Sequence, residues 1–225
     1  MTFILQQTFA ALDDGGRFPV RRIYCVGRNY RAHALEMGVD PDREAPFFFL
    51  KPADALIPDG ATIAYPPRTE DYQYEVELVV AIGARGVKCA PEAAEELVLG
   101  YAVGLDMTRR DLQIAARKAG RPWDMGKSFD QSAPCGAFTP KALTGPLRSG
   151  AIRLEVNGAT KQSSDISLLI WSVPEIIADL SSYVTLEPGD LIFTGTPEGV
   201  GAVRPGDKLG ASIAGLRDLH ITISE

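Results

Sequence analysis

The chain has 225 residues, 45% of them hydrophobic, and a formal net charge of −6. That size suits one globular unit with a sizeable core. The scattered Lys and Arg residues exclude a continuous basic face for nucleic acid. No apolar run is long enough to cross a bilayer as a helix, and the N-terminus has no basic segment leading into a long apolar one. Cys25, Cys89 and Cys135 form no C-x-x-C pair, so a reduced, cytoplasmic setting without disulfides is expected.

The 22 Gly and 16 Pro residues predict many short strands joined by tight turns. Residues 1–20 read as an N-terminal edge segment with a turn at Asp13-Asp14-Gly15-Gly16, ahead of a single domain over 21–225. Ile23 to Val26 is a short strand. After Gly27-Arg28-Asn29-Tyr30 a short helix runs to Met37 and stops at Gly38. His33 and Glu36, three apart, share one face of that helix, so the carboxylate can orient the imidazole. On those residues alone an exposed ion pair is the simpler reading. His220, in the alternating tail, reads as a surface-strand residue. Val39 to Ala45 reads as loop, and Phe47 to Leu50 as a buried strand ending at Lys51. A lysine there either aims at a cleft or marks an exit to solvent.

Tyr72 to Gly83 reads as one strand with two carboxylates in it. Residues two apart share a face, about 7 Å from each other. Tyr74, Val76, Leu78, Val80 and Ile82 take one side; Glu75, Glu77, Val79 and Ala81 take the other. Two like charges heading an apolar run resist desolvation unless something neutralises them. Pro91 to Leu99 reads as a helix with proline at its first position. Gly100 to Asp106 is a strand with a face of minimal side chains, Gly100, Ala102 and Gly104, that ends in Asp106 and leaves space beside it. Thr108 and Asp111 form a capping-box-like start for a helix through Ala119, closed by Gly120. Arg110 and Gln113 lie in its first turns, close to Asp106. Lys127 stands in W-D-M-G-K-S-F, where a lone lysine is ordinarily solvated.

Ile152 to Val156 and the residues after Asn157-Gly158 form a hairpin. Ser172 caps an amphipathic helix over Pro174, Ile176, Ile177 and Leu180. Leu191 to Gly201 is Gly-rich but has neither G-K-[ST] nor G-x-G-x-x-G, which excludes a nucleotide phosphate cradle. The class is β-rich α+β. Glu75, Glu77 and Asp106 then sit on two strands that can be neighbours. An all-oxygen set suits Mg²⁺ or Mn²⁺, or Ca²⁺, and argues against zinc.

Several motifs occur together and in order: G-R-N-Y-R-A-H-A-L-E-M-G, F-F-F-L-K-P-A-D-A-L, Y-E-V-E-L-V-V-A-I-G, G-Y-A-V-G-L-D-M-T-R-R-D-L-Q, G-R-P-W-D-M-G-K-S-F-D and L-E-P-G-D-L-I-F-T-G-T-P-E-G-V-G. From about residue 20 to its end the chain resembles the fumarylacetoacetate hydrolase superfamily, and within it the short acylpyruvase branch. The resemblance implies a mixed, rolled β-sheet fold with few helices, a homodimer, and a Mg²⁺ or Mn²⁺ ion on Glu75, Glu77 and Asp106. It implies catalytic roles for His33, Glu36 and Lys127, the first two in a segment that closes as a lid. Arg28, Lys51, Arg110, Gln113 and Thr196 fall where relatives hold or surround a small keto acid. Many relatives carry His where Gln73 or Tyr74 stands here.

The implied activity is hydrolysis of a carbon–carbon bond in acylpyruvates such as fumarylpyruvate, as in gentisate-type aromatic breakdown. Arg31 and Arg121 are the candidates for a distal carboxylate. Oxaloacetate decarboxylation, or isomerisation or hydration of dienoic acids, are alternatives on the same site. A β-rich binding module with a structural Ca²⁺ is the alternative of another class.

Overall fold

Alternating side chains along one central strand divide the interior into two apolar layers. The structure, a computed structural model, describes residues 2, 4, 6–38 and 44–225. Its principal strands are β1 (Arg22–Gly27), β2 (Phe47–Lys51), β3 (Tyr72–Tyr74), β4 (Val76–Ile82), β5 (Val98–Leu105), β6 (Ala151–Val156), β7 (Ala159–Asp165), β8 (Asp190–Phe193), β9 (Lys208–Ile213) and β10 (Leu219–Ile223). The helices that matter are α1 (Arg31–Glu36), α2 (Arg110–Lys118), α3 (Asp124–Lys127) and α4 (Val173–Tyr183). The architecture is the expected β-rich one, with mixed sheets and few short helices.

A six-stranded mixed sheet runs Thr139–Pro140, β5, β4, β8, β1, β2. Only β8 and β1 are parallel neighbours among its principal strands. A five-stranded sheet runs β7, β6, β9, β10 and Thr62–Ile63. Its β6–β7 hairpin turns through Asn157 and Gly158, both at positive φ (52° and 78°), as an Asn-Gly turn requires. Tyr74, Val76, Leu78, Val80 and Ile82 join Ile152, Leu154, Leu209 and Ile221 of the second sheet, and Ile176, Ile177 and Leu180 of α4, in the larger core. Val79 and Ala81 face the other way, into a smaller core with Ile23, Cys25, Leu191, Phe193 and Phe138. The strand pairs Phe9–Ala11 and Arg17–Pro19 close that layer, with Ala10 and Phe18 packed into it. Helix α4 starts at a capping box between Ser172 and Glu175, as its sequence predicts.

Several local expectations are corrected. Tyr72 to Gly83 is not one strand: β3 pairs with Thr108–Arg109 and Gly201–Ala202, and the chain changes sheets at Glu75 before β4 begins. Phe47–Lys51 is the edge of its sheet rather than a buried strand, with Leu50 49% exposed. The helix expected over Pro91 to Leu99 is a turn of α-helix (Pro91–Ala94) and a 3-10 turn (Glu95–Leu97), since Val98 and Leu99 already belong to β5. The small-residue face of β5 does not border empty space. A Cβ on Gly104 would lie 2.4 Å from Val79 Cγ2 and 2.7 Å from the Phe193 ring, so neighbouring side chains fill that volume. Thr108 and Asp111 form no capping box. Thr108 turns inward, and Asp111 accepts hydrogen bonds from Thr69 Oγ1, Glu70 N–H and Leu112 N–H. Of the loop expected at Val39 to Ala45, residues 39–43 lie outside the described residues.

Candidate active site

Sheet register brings the three carboxylates together. In the β4–β5 ladder Glu77 faces Gly104 and Val76 faces Leu105. One residue beyond, the Asp106 N–H donates to the Glu75 carbonyl at 2.8 Å. Glu75 stands at the switch between sheets, two residues before Glu77, and its side chain still shares a side with that of Glu77. All three acids are buried, and one ligand atom from each lies within 4.8 Å of the others.

Buried cations surround them. Lys127 Nζ donates to Glu75 Oε2 at 2.8 Å, Asp106 Oδ2 at 2.7 Å and Thr108 Oγ1 at 2.6 Å. The Arg110 guanidinium contacts Glu75 Oε1, and its Nε and Nη1 donate to Gln73 Oε1 at 2.8 Å and Gln113 Oε1 at 2.6 Å. Lys51 Nζ lies 2.8 Å from Asp106 Oδ1 and donates to the carbonyls of Met107 and Lys127. Lys127 reaches its place because α3 crosses the start of α2 at Gly126, where a Cβ would meet Gln113 N at 2.8 Å. The glycine next to the lysine is therefore a packing requirement.

The electrostatics are uneven. Burial pushes the Glu75 carboxyl up, but Lys127, Arg110 and His33 outweigh it and hold it well below the usual range. Burial lowers Lys127, and the charges of Asp106 and Glu75 more than reverse that. Glu77 is pushed well above the carboxylate range by burial and by the charges of Asp106 and Glu75, which outweigh the Gly195 N–H at 2.8 Å and the charge of Lys127. Asp106 Oδ1 is buried without a hydrogen bond, since Lys51 is close but off the bonding direction. An under-stabilised carboxylate and an orphaned buried oxygen, side by side in an all-oxygen set, fit a hard divalent cation. Magnesium and manganese are among the metals this all-oxygen donor set suits.

One cavity joins the remaining pieces. Its walls include the three acids, His33, Arg28, Arg110, Gln113, Lys127 and Thr196. His33 Nδ1 is 3.2 Å from Glu36 Oε2, and the Glu36 carboxylate accepts the Gly199 N–H at 3.2 Å. Glu36 thus stands behind His33 rather than in the cavity, and Lys51 stands beneath Asp106. Arg28, at φ 58°, sits at the mouth with its guanidinium over the Phe47 ring, 5.4 Å from the centroid. The distal-carboxylate candidates separate: Arg121 lines the adjoining open groove, whereas Arg31 is exposed at the head of α1. Arg117, given no role from the sequence, lines the cavity.

Three further residues at this site carried no role in the sequence. Thr108 read as a helix cap, and T-R-R-D offers no sign that its hydroxyl turns to a lysine. Asn29 is buried, donating to the Trp171 and Thr194 carbonyls and so holding the turn that presents Gly195. Its place in G-R-N-Y was the only signal. Gln162 is fully buried on β7, a strand with no apolar alternation to mark an inward face. His220 is exposed, as expected.

A buried all-carboxylate site in a mixed β fold defines a class, the β-rich divalent-metal proteins. A model of the fumarylacetoacetate (FAA) hydrolase C-terminal region matches residues 22–224. A fumarylpyruvate hydrolase of a Ralstonia species is 54% identical over 185 residues, covering 82% of this chain and 96% of that protein. The mitochondrial oxaloacetate tautomerase FAHD1 of Homo sapiens is 44% identical over 206 residues, covering 91% and 92%. The crystal structure of fumarylpyruvate hydrolase from Pseudomonas aeruginosa, in complex with Mn²⁺ and pyruvate, superposes with a TM-score of 0.97 at 52% identity, covering 100% of this chain and 99% of that one. The chain belongs to the fumarylacetoacetate hydrolase family.

Proposed function

We propose that the protein is a metal-dependent hydrolase that converts fumarylpyruvate and water to fumarate and pyruvate. The observation that carries this reading is one cavity holding both a metal-ready carboxylate triad and an imidazole backed by a carboxylate. Relatives at 54% and 52% identity bear the name of that activity.

Glu75, Glu77 and Asp106 would hold the cation, which when bound supplies Lewis-acid charge for the keto acid's oxygens. His33, oriented by Glu36, takes a proton from water, and the resulting hydroxide attacks the carbonyl that will become the fumarate carboxyl. Gln113, its Oε1 pinned by Arg110, turns its amide N–H toward the oxyanion. Lys127 is the second donor. Its hydrogens already meet Glu75, Asp106 and Thr108, so this role needs one of those bonds to be exchanged. Cleavage of the carbon–carbon bond leaves fumarate and the enolate of pyruvate, which takes up a proton. For the far carboxylate this reading takes Arg28 and Arg117, which line the cavity, in preference to Arg31 and Arg121. The triad and Thr196 take the keto-acid end, with Lys51 supporting Asp106 from below. The reading includes a cytoplasmic homodimer, on the strength of family membership. The three free cysteines accord with a reducing setting, and among the described residues no helix is long and apolar enough to cross a membrane.

Purified protein with Mg²⁺ is expected to release fumarate and pyruvate from fumarylpyruvate, and to stop when EDTA is added. Faster turnover of oxaloacetate than of fumarylpyruvate would replace the hydrolase reading with an enolate-forming one on the same residues.

A further inference from the structure

Gln162 has no apolar reason to be buried. Its strand, A-T-K-Q-S-S-D, is polar throughout apart from one alanine, yet this side chain is fully inside. Its contacts explain why. The Val76 N–H, at the point where the chain switches sheets between the two glutamates, donates to Gln162 Oε1 at 3.0 Å. Gln162 Nε2 donates to Thr196 Oγ1 at 2.9 Å and to the Pro197 carbonyl at 2.8 Å, with a longer approach of 3.5 Å to the Glu198 carbonyl.

These contacts fix the orientation of the Gln162 amide. A backbone N–H can only donate, so Val76 decides which end of the amide is oxygen. Both hydrogens of Nε2 then meet acceptors. Thr196 Oγ1 receives one of them and keeps its own single hydrogen, which has no acceptor among the described residues. Thr196 lines the cavity beside the three carboxylates.

We propose that Gln162 is a positioning residue that makes the Thr196 hydroxyl a hydrogen-bond donor into the cavity, aimed at the carboxylate of the keto acid. The inference rests on the keto-acid reading above. A hydroxyl can donate or accept, whereas a carboxylate only accepts. Without Gln162 no donor occupies the hydroxyl's lone pair, and the hydroxyl is free to turn lone pairs instead of its hydrogen toward the substrate. A hydrogen bond to a charged acceptor corresponds to roughly tenfold or more in affinity.

The test is a double-mutant cycle read by calorimetric binding of pyruvate to the Mn²⁺-loaded protein, using Gln162→Met, Thr196→Val and the pair together. Gln162→Met is expected to weaken pyruvate about tenfold in the parent and less than about twofold in the Thr196→Val background, because the two residues act as one unit. Mn²⁺ affinity is expected to hold within about threefold, since Gln162 touches no ligand side chain. Equal weakening in both backgrounds, a parallel loss of Mn²⁺ affinity, or no weakening in the parent overturns the proposal. Gln162→Glu is the second variant, should the first not fold. It keeps the shape and the acceptor for Val76 but, ionised, has no hydrogen for Thr196. Parent-like pyruvate affinity in that variant, at a pH where its carboxyl is ionised, also overturns the proposal. Failure of the Mn²⁺-loaded parent to bind pyruvate removes both this inference and the keto-acid reading; binding without coupling removes this one alone.

Discussion

The carboxylate triad and the His33–Glu36 pair face the same cavity but are held there differently. Each triad member stands on, or one residue to either side of, a central strand, and cations from three separate segments, Lys51, Arg110 and Lys127, pair with Glu75 and Asp106. The imidazole hangs from a helix of six residues, with one 3.2 Å contact to Glu36, which is steadied by a single backbone N–H from Gly199. Charges in a low-dielectric interior need dense compensation, and the proposed metal site, built into the sheet, has it. The proposed proton carrier, His33, sits instead on a short helix outside the sheets. The two halves of the chemistry are therefore separable by mutation.

The largest expected effect breaks both at once. Glu75→Gln removes a ligand and leaves Arg110 and Lys127 short of a buried anion, so Mn²⁺ binding by calorimetry and fumarylpyruvate hydrolysis should both disappear. His33→Ala should split them: hydrolysis falls by ~10²–10⁴, while Mn²⁺ affinity stays at the parent value. Parent-rate hydrolysis by His33→Ala would falsify the water-activation role.

The raised Glu77 gives a pH test of the triad half. Without metal, folded Glu77 keeps its proton at pH values where an unfolded carboxylate, with a pKa of about 4.3, has lost it. Its contribution to metal-free stability therefore falls as pH rises from there to its folded pKa, and then levels off. Glu75 has the opposite sign, adding stability above about pH 4.3 that is lost as pH falls toward its depressed folded value. Cation binding must displace the Glu77 proton. Mg²⁺ affinity should thus rise by up to about tenfold per pH unit below the Glu77 pKa, with proton release measurable in buffers of different ionisation enthalpy. Affinity flat with pH would contradict the placement of Glu77 in the site.

Glu36→Gln sharpens the other half. It keeps an acceptor for Gly199 but removes the charge behind His33, so kcat should fall about tenfold with Mn²⁺ affinity unchanged. The smallest effect concerns packing alone. Gly104→Ala places a methyl against Val79 and Phe193, which should cost about 1–3 kcal/mol in a denaturant titration. No loss there would mean the face beside Glu77 is roomier than the structure shows.

Much of this was legible in local pattern. The period-2 alternation of Tyr74 to Ile82 marked two opposite faces, and the structure puts an apolar layer on each. The Asn157-Gly158 turn and the Ser172 cap declared themselves because their chemistry is local to a few residues. Glu75, Glu77 and Asp106 stood out because buried-looking carboxylates in apolar strands are costly unless compensated. Less visible was whatever depends on contacts distant in sequence. Thr108 looked like a cap until Lys127 was seen to reach it. The glycine face of β5 looked like space until Val79 and Phe193 filled it. Gln162 had no periodicity to reveal it, since its buried contacts are with Val76 of the other sheet and Thr196 in a loop, both far away in sequence.

Residue by residue, the chain on its own determined which side chains could bear the chemistry, because ionisation, hydrogen-bonding capacity and strand alternation belong to short stretches. Only the tertiary structure decided which of them meet. Sheet register set Glu77 opposite Gly104 and Asp106 against Glu75, which brought the third carboxylate to the two that strand alternation had already put on one side. Register and sheet order arise from packing among segments far apart in sequence, and no local pattern encodes that packing.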